Sequence, residues 1–259
     1  MKNSERRAKK TTTKQARSFL PTKSGWKAFG YGILLAVWVY AVLISFQFVT
    51  TLVFMLILGR EQAVTPLWAT IISAVFYVLA AGFLILVTPK IARKWGFMKP
   101  TRKRLGLEGE PTWTDLGLGI VGFVISLILA AILVKVFEIF PWFDASEAQK
   151  LIYNTSIVGG ERVIAFVMLV VIAPIVEELI FRGWLYEKLR IKLPVQVSIL
   201  ITSVLFGMVH SPFSASLNVF AMSVVLCCLR ELTGTIYAGI ILHMLKNGLA
   251  FFLVFVFKI

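Results

Sequence analysis

A chain of 259 residues that is 58% hydrophobic and only 15% charged cannot be a soluble globular domain; it reads as a polytopic membrane protein with one membrane domain. Its net charge of +14 is unevenly spread: the first 28 residues carry nine Lys/Arg against one acid, and residues 90–104 carry seven with none. Basic clusters beside apolar runs anchor a membrane protein on an anionic cytoplasmic leaflet, and this placement argues against nucleic acid as the partner.

Along the chain, residues 1–28 read as a basic, disordered tail, and residues 29–259 as a single transmembrane domain. The first apolar run, Phe29–Leu58, is too long for a signal-peptide core and is expected to remain as a transmembrane helix. A Gly-Arg-Glu-Gln turn at 59–62 leads to the second span, Ala63–Pro89, and a basic loop runs on to about Asp115. Residues 116–137 make the third span. The loop from Glu138 to Arg162 holds four acids and two bases, and includes a glycosylation-type triplet at Asn154. Residues 163–181 make the fourth span, followed by a basic stretch with Arg182, Lys188, Arg190 and Lys192. Three further apolar segments follow at 194–210, 214–229 and 235–257, the first two short against the roughly 20 residues a bilayer requires. The expected fold is all-α, a polytopic helical bundle of about seven transmembrane helices. The adjacent Cys227 and Cys228 lie in one apolar run and cannot form an ordinary disulfide with each other.

The tail, the 90–104 loop and the 182–192 stretch are each separated by two spans, so all three fall on one side. The positive-inside rule makes that side, and the N-terminus, cytoplasmic. The chain is expected in a bacterial plasma membrane as a multi-pass protein.

Ionisable groups inside apolar segments are costly in a bilayer and mark function by default. Both histidines of the chain, His210 and His243, and an adjacent pair of acids, Glu177 and Glu178, stand in such segments. Glu178 and Arg182 are four residues apart and can pair on one helix. Glu177, about 100° round the helix, is left as a desolvated carboxylate, a candidate general base. Pro174, one turn earlier, is expected to kink the helix. If the fourth and fifth segments form an antiparallel hairpin turning near Pro194, Glu177 and His210 lie roughly 20 and 24 Å from the turn and can face one another. His243 and Asn247 share a helical face, about 12 Å into the membrane, and suit the binding of an oxyanion. Lys246, between them, either snorkels or pairs with an acid. The bland alternatives are helix-end glutamates, an interfacial histidine, and polar glue between helices.

In this order, Glu177-Glu178 with Arg182, Phe206 with His210, and His243 with Asn247 resemble the motifs of the CAAX prenyl protease and bacteriocin-processing family, also called the Abi family. Thr233-Gly-Thr235 fits as well, and the resemblance covers about residues 163–250. It implies an intramembrane endopeptidase with its catalytic core there, opening toward the cytoplasm and acting on a peptide or membrane-protein substrate. It also implies that Glu177 and His210 activate water while His243 and Asn247 hold the oxyanion.

Glu177, His210 and His243 would equally make a zinc set with water as fourth ligand. No His-Glu-x-x-His pair is present, and Asn is a poor zinc ligand, so the reading without a cofactor is preferred. Two rivals stand beside the enzyme: a non-catalytic peptide-binding or bacteriocin self-immunity protein, and a proton-coupled transporter, which would distribute its polar groups over both halves of the membrane.

Overall fold

The computed structural model describes residues 23–93, 100–145, 159–210 and 212–257. The tail up to residue 22, part of the 90–104 loop, and the Asn154 triplet lie outside them. Over the described residues the fold is all-helical, a polytopic bundle in which six helices are long and apolar enough to cross a membrane and a seventh is apolar but shorter.

The first helix, α1, spans Lys23–Leu58. It begins six residues before the expected start at Phe29, so the last part of the supposed tail is helical. Hydropathy marks where a chain enters lipid, whereas helical backbone bonds continue through polar residues beyond it. A single turn, α2 (Arg60–Ala63), leads into α3, which opens at Pro66 after the Thr65 cap. Helix α3 runs through a π-helical stretch, Phe83–Val87, to Ile91. The third span, α4, is Trp113–Phe137. It starts three residues before the expected position because Thr112 and Asp115 form a capping box. The Thr112 hydroxyl accepts from the Asp115 N–H (3.2 Å), and the Asp115 carboxylate accepts from the Thr112 N–H (2.9 Å).

The fourth helix, α5, is unbroken over Gly160–Lys192. Arg182 was expected to open a basic connecting stretch. It is instead fully buried in the middle of the bundle, because an acid one turn away neutralises it there. Helix α6 is Val195–Met208 and α7 is Phe213–Thr233. At 21 residues α7 is long enough to cross, which removes one of the two doubtful spans. Gly234, at φ 71°, ends α7, and α8 follows over Tyr237–Phe257.

Close approach of helices in a membrane depends on small residues at their interface. A Cβ on Gly119 of α4 would lie 2.7 Å from Ile241 Cγ2 and 3.0 Å from the Ala238 carbonyl oxygen of α8. One turn on, a Cβ on Gly122 would stand 2.9 Å from Leu242 and 3.0 Å from Leu229. These glycines let α4 close against α7 and α8, and the three helices wall one side of the core that holds α5.

One end of the bundle gathers the basic segments. Arg230 donates to the carbonyls of Arg104 (2.9 Å) and Gly234, and the Ile236 N–H bonds the Gly106 carbonyl (3.0 Å). Arg104 pairs with Glu187 at 3.6 Å, and Arg190 with Glu231 at 2.7 Å. Lys192 lies over the ring of Tyr31 near the start of α1, 4.3 Å from its centroid. The beginning of α1, the loop before α4, the end of α5 and the α7–α8 turn therefore share one face. That is the arrangement the charge pattern requires.

Gly119→Leu is expected to destabilise the protein by about 1–3 kcal/mol through overpacking against α8. Gly117→Leu, where a Cβ meets nothing within 4 Å, is expected to be neutral. Thermal unfolding of the two variants in lipid–detergent micelles checks the contrast.

Candidate active site

Helix α5 supplies the acids. Its α-helical Gly160–Phe166 loosens into a π-helical stretch over Val167–Ile172 and tightens again over Ala173–Glu178. A second π-helical stretch, Leu179–Tyr186, follows at once. Pro174 sits at the start of the middle segment, where its missing N–H is tolerated. The expected disturbance at Pro174 thus takes the form of a π-helical turn before it. Such turns inside α-helices concentrate at functional sites.

Glu178 is fully buried, and Glu177 is 5% exposed. Arg182 Nη1 donates to Glu178 Oε1 at 2.9 Å, so the i,i+4 pairing read from sequence is present. Arg182 Nη2 donates to the hydroxyl and carbonyl oxygens of Ser223 on α7, at 2.5 and 3.4 Å. The guanidinium also lies 4.4 Å from the centroid of the Phe206 ring on α6. A charge with these partners is held in the interior without solvent.

His243 of α8 enters between the two acids. Its Nδ1 is 3.1 Å from Glu178 Oε1, and its Nε2 is 3.6 Å from Glu177 Oε2. Since a carboxylate accepts only, Nδ1 carries the proton, and Nε2 is turned toward Glu177. The other Glu178 oxygen faces Gly239, where a Cβ would stand 3.2 Å away. Gly239 keeps the room that Glu178 occupies.

His210 lies just beyond the end of α6. Its Nδ1 bonds the Phe206 carbonyl at 2.8 Å, which again places the proton on Nδ1 and leaves Nε2 open. Its own carbonyl accepts from the Ser216 hydroxyl. Both histidine rings meet one hub: Phe206 makes T-shaped contacts with His210 (5.1 Å) and His243 (5.7 Å). His210 is near enough to Glu177 and His243 to interact with them electrostatically. The direct contact of Glu177 is nonetheless with His243, not with His210 as the hairpin count predicted. That count fixed depth along the helices and carried no information on which side of α5 each neighbour lies.

Asn247 shares the inward face with His243, as expected, but its Nδ2 donates to the Leu169 carbonyl of α5 at 2.9 Å. Lys246 neither snorkels nor pairs with an acid: its Nζ donates to the Asn218 carbonyl of α7 at 3.2 Å.

Sequence reasoning missed three contributors. Ser223 was one hydroxyl among many; its signal was a polar side chain in a largely apolar helix. Gly239 signals only as a small residue one turn before His243. Tyr77, on α3, brings its hydroxyl within hydrogen-bonding reach of the Glu177 carboxylate, and nothing in the second span distinguished it from other aromatics.

A catalytic zinc needs three side chains converging on one point. Among the described residues no group of three or more His, Cys, Asp or Glu side chains is placed to hold a metal ion. Glu177 and His243 are adjacent, while His210 belongs to a separate turn. The residues as placed do not fit the ion.

Residues 159–249 match the family model described as type II CAAX prenyl endopeptidase Rce1-like. That stretch contains all six residues singled out from sequence. The chain is also similar to the membrane-embedded CAAX protease MroQ of Staphylococcus aureus (strain USA300), at 25% identity over 190 residues, covering 68% of this chain and 72% of that protein. No solved structure matches.

Removing one partner of a buried ion pair leaves an uncompensated charge. Arg182→Met is therefore expected to destabilise the fold by roughly 3–5 kcal/mol. Combining it with Glu178→Gln, which removes the stranded charge, should recover part of that loss. Melting temperatures of the single and double variants measure both effects.

Proposed function

We propose that this chain, which belongs to the CAAX prenyl protease and bacteriocin-processing family, is an intramembrane endopeptidase in which Glu177 activates the attacking water. The observation that carries this reading is a single imidazole, His243, set between two buried carboxylates of which only one is neutralised. Arg182 is committed to Glu178. Glu178 in turn fixes the tautomer of His243 and turns Nε2 toward Glu177.

A water bound to Glu177 Oε2 and to His243 Nε2 is polarised from both sides. Glu177 takes its proton, and the hydroxide adds to the scissile carbonyl carbon, forming a tetrahedral oxyanion. The proton passes to the leaving amine as the carbon–nitrogen bond breaks, so Glu177 ends as it began. On its way from Glu177 to the leaving amine that same proton is held by His243 Nε2, and the imidazolium so formed places a positive charge beside the oxyanion, stabilised there by the two glutamates. His210, with Nε2 open, supports Glu177 from the α6 side as a second proton acceptor. The Tyr77 hydroxyl orients the Glu177 carboxylate. This keeps Glu177 as base and His243 at the oxyanion, and it brings His243 into water activation as well.

The burial of these groups among membrane helices supports a substrate that is itself a membrane peptide or a membrane-associated polypeptide segment. The basic end of the bundle is then cytoplasmic, resting on the anionic inner leaflet of a bacterial plasma membrane.

Glu177→Gln keeps the shape of the side chain and removes its basicity. It is expected to lower cleavage of a quenched-fluorescent peptide library in bicelles by a factor of roughly 10²–10⁴, with an unchanged melting temperature. Wild-type cleavage by that variant would sink the mechanism. Loss of wild-type activity in a chelator, with recovery specific to added zinc, would replace it by a metal-dependent one.

A further inference from the structure

The helical bonds of α5 leave the Leu169 backbone carbonyl without a donor. In an α-helix the Leu169 carbonyl would accept from the N–H of residue 173, and in a π-helix from that of residue 174. The Ala173 N–H bonds the Met168 carbonyl instead, in the π-helical register. Residue 174 is proline and has no N–H. Both helical donors of Leu169 are thus removed, one by register and the other by chemistry. An unpaired carbonyl in the apolar interior is costly, because no water is there to replace the missing donor.

The Asn247 Nδ2 occupies that position, 2.9 Å from the Leu169 oxygen. The neighbouring contacts show that this is part of a continuous antiparallel seam. Gly239 meets Glu178, His243 meets Glu177 and Glu178, Gly248 faces Val170, and Phe251 packs edge-on against Phe166 at 5.3 Å. Asn247 is one turn beyond His243, and the Leu169 carbonyl is two turns before Glu177.

We infer that Asn247 is a positioning residue that replaces the N–H missing from Pro174, and that this bond holds α8 in register against the acid-bearing segment of α5. The bond pins the π-helical turn that sets the rotation of Glu177 and Glu178. On the same α8 face it fixes how far His243 reaches between them. Through this bond the amide acts on the reaction by placing these groups. Only the activity arm of the following test rests on the endopeptidase reading.

A double-mutant cycle on the full-length protein in nanodiscs tests the link. Asn247→Ala is expected to lower the melting temperature by about 2–8 °C, the range for leaving one buried acceptor unmet in a chain of this size, and to lower kcat at least tenfold (an order-of-magnitude expectation). In a Pro174→Ala background residue 174 has an N–H to offer Leu169. There the same Asn247→Ala change is expected to cost less than about half as much in melting temperature, and correspondingly less in kcat. Should Asn247→Ala fail to fold alone, recovery of a folded protein in the double variant is the supporting result, and failure of both overturns the inference. Equal costs in the two backgrounds, or no change in melting on Asn247→Ala, also overturn it. Coupled melting in a protein that cleaves no peptide would leave this inference standing and remove the proposed function instead.

Discussion

The structure depends on keeping one carboxylate charged in the interior of a membrane bundle. Glu178 is fully buried, and its Oε1 receives both the Arg182 guanidinium and the His243 imidazole. An ion pair without solvent is costly unless further partners meet much of its hydrogen-bonding capacity, and here Glu178 Oε2 and Arg182 Nε stay without one while the other polar atoms of the pair are engaged. The surroundings follow from that requirement. Ser223 takes the second arm of the guanidinium, the Phe206 ring takes its face, and Gly239 leaves room for the second carboxylate oxygen. Four helices are thereby joined at one point: α5 through Glu178 and Arg182, α6 through Phe206, α7 through Ser223, and α8 through His243 and Gly239.

Within this network Glu177 differs from its neighbour in what it lacks. Arg182 serves Glu178, and the contacts of Glu177 are with an imidazole edge and a phenol. Two adjacent acids on one helix thus receive opposite environments, because successive residues point about 100° apart and only one of them faces the arginine a turn later. The acid paired with arginine and the acid left without it are distinguished by helix geometry. The π-helical turns on both sides of the pair set the angle at which that geometry is presented to α8.

Much of the architecture was legible because hydropathy is a local property summed along the chain. The apolar segments correspond to the long helices of the bundle, and the basic stretches that are described lie at one end. The errors fell where local composition and helix continuity separate. Lys23–Ala28 is polar yet helical, and Arg182 is charged yet buried in mid-helix, since an i,i+4 acid removes the need for water. The Thr112–Asp115 capping box moved the start of α4 forward for the same kind of reason, a side chain satisfying backbone groups that polarity alone would assign to a loop.

The chemistry-bearing residues were also visible by themselves, since a glutamate, arginine or histidine in an apolar run is costly unless it has a partner. Which partner it has was not visible. His243 is 65 residues from Glu178 in sequence, and whether it or His210 touches the acids turns on the lateral order of helices around α5. Residue spacing measures distance along a helix axis and is silent on that order. The sequence by itself determined an all-helical membrane bundle, its basic end, and which ionisable residues stand within its apolar segments. Tertiary packing decided that His243 enters between the glutamates, that His210 packs on Phe206, and that Asn247 turns to the Leu169 carbonyl. Those outcomes depend on how helices rotate and approach one another, a property of the packed interior rather than of any one segment.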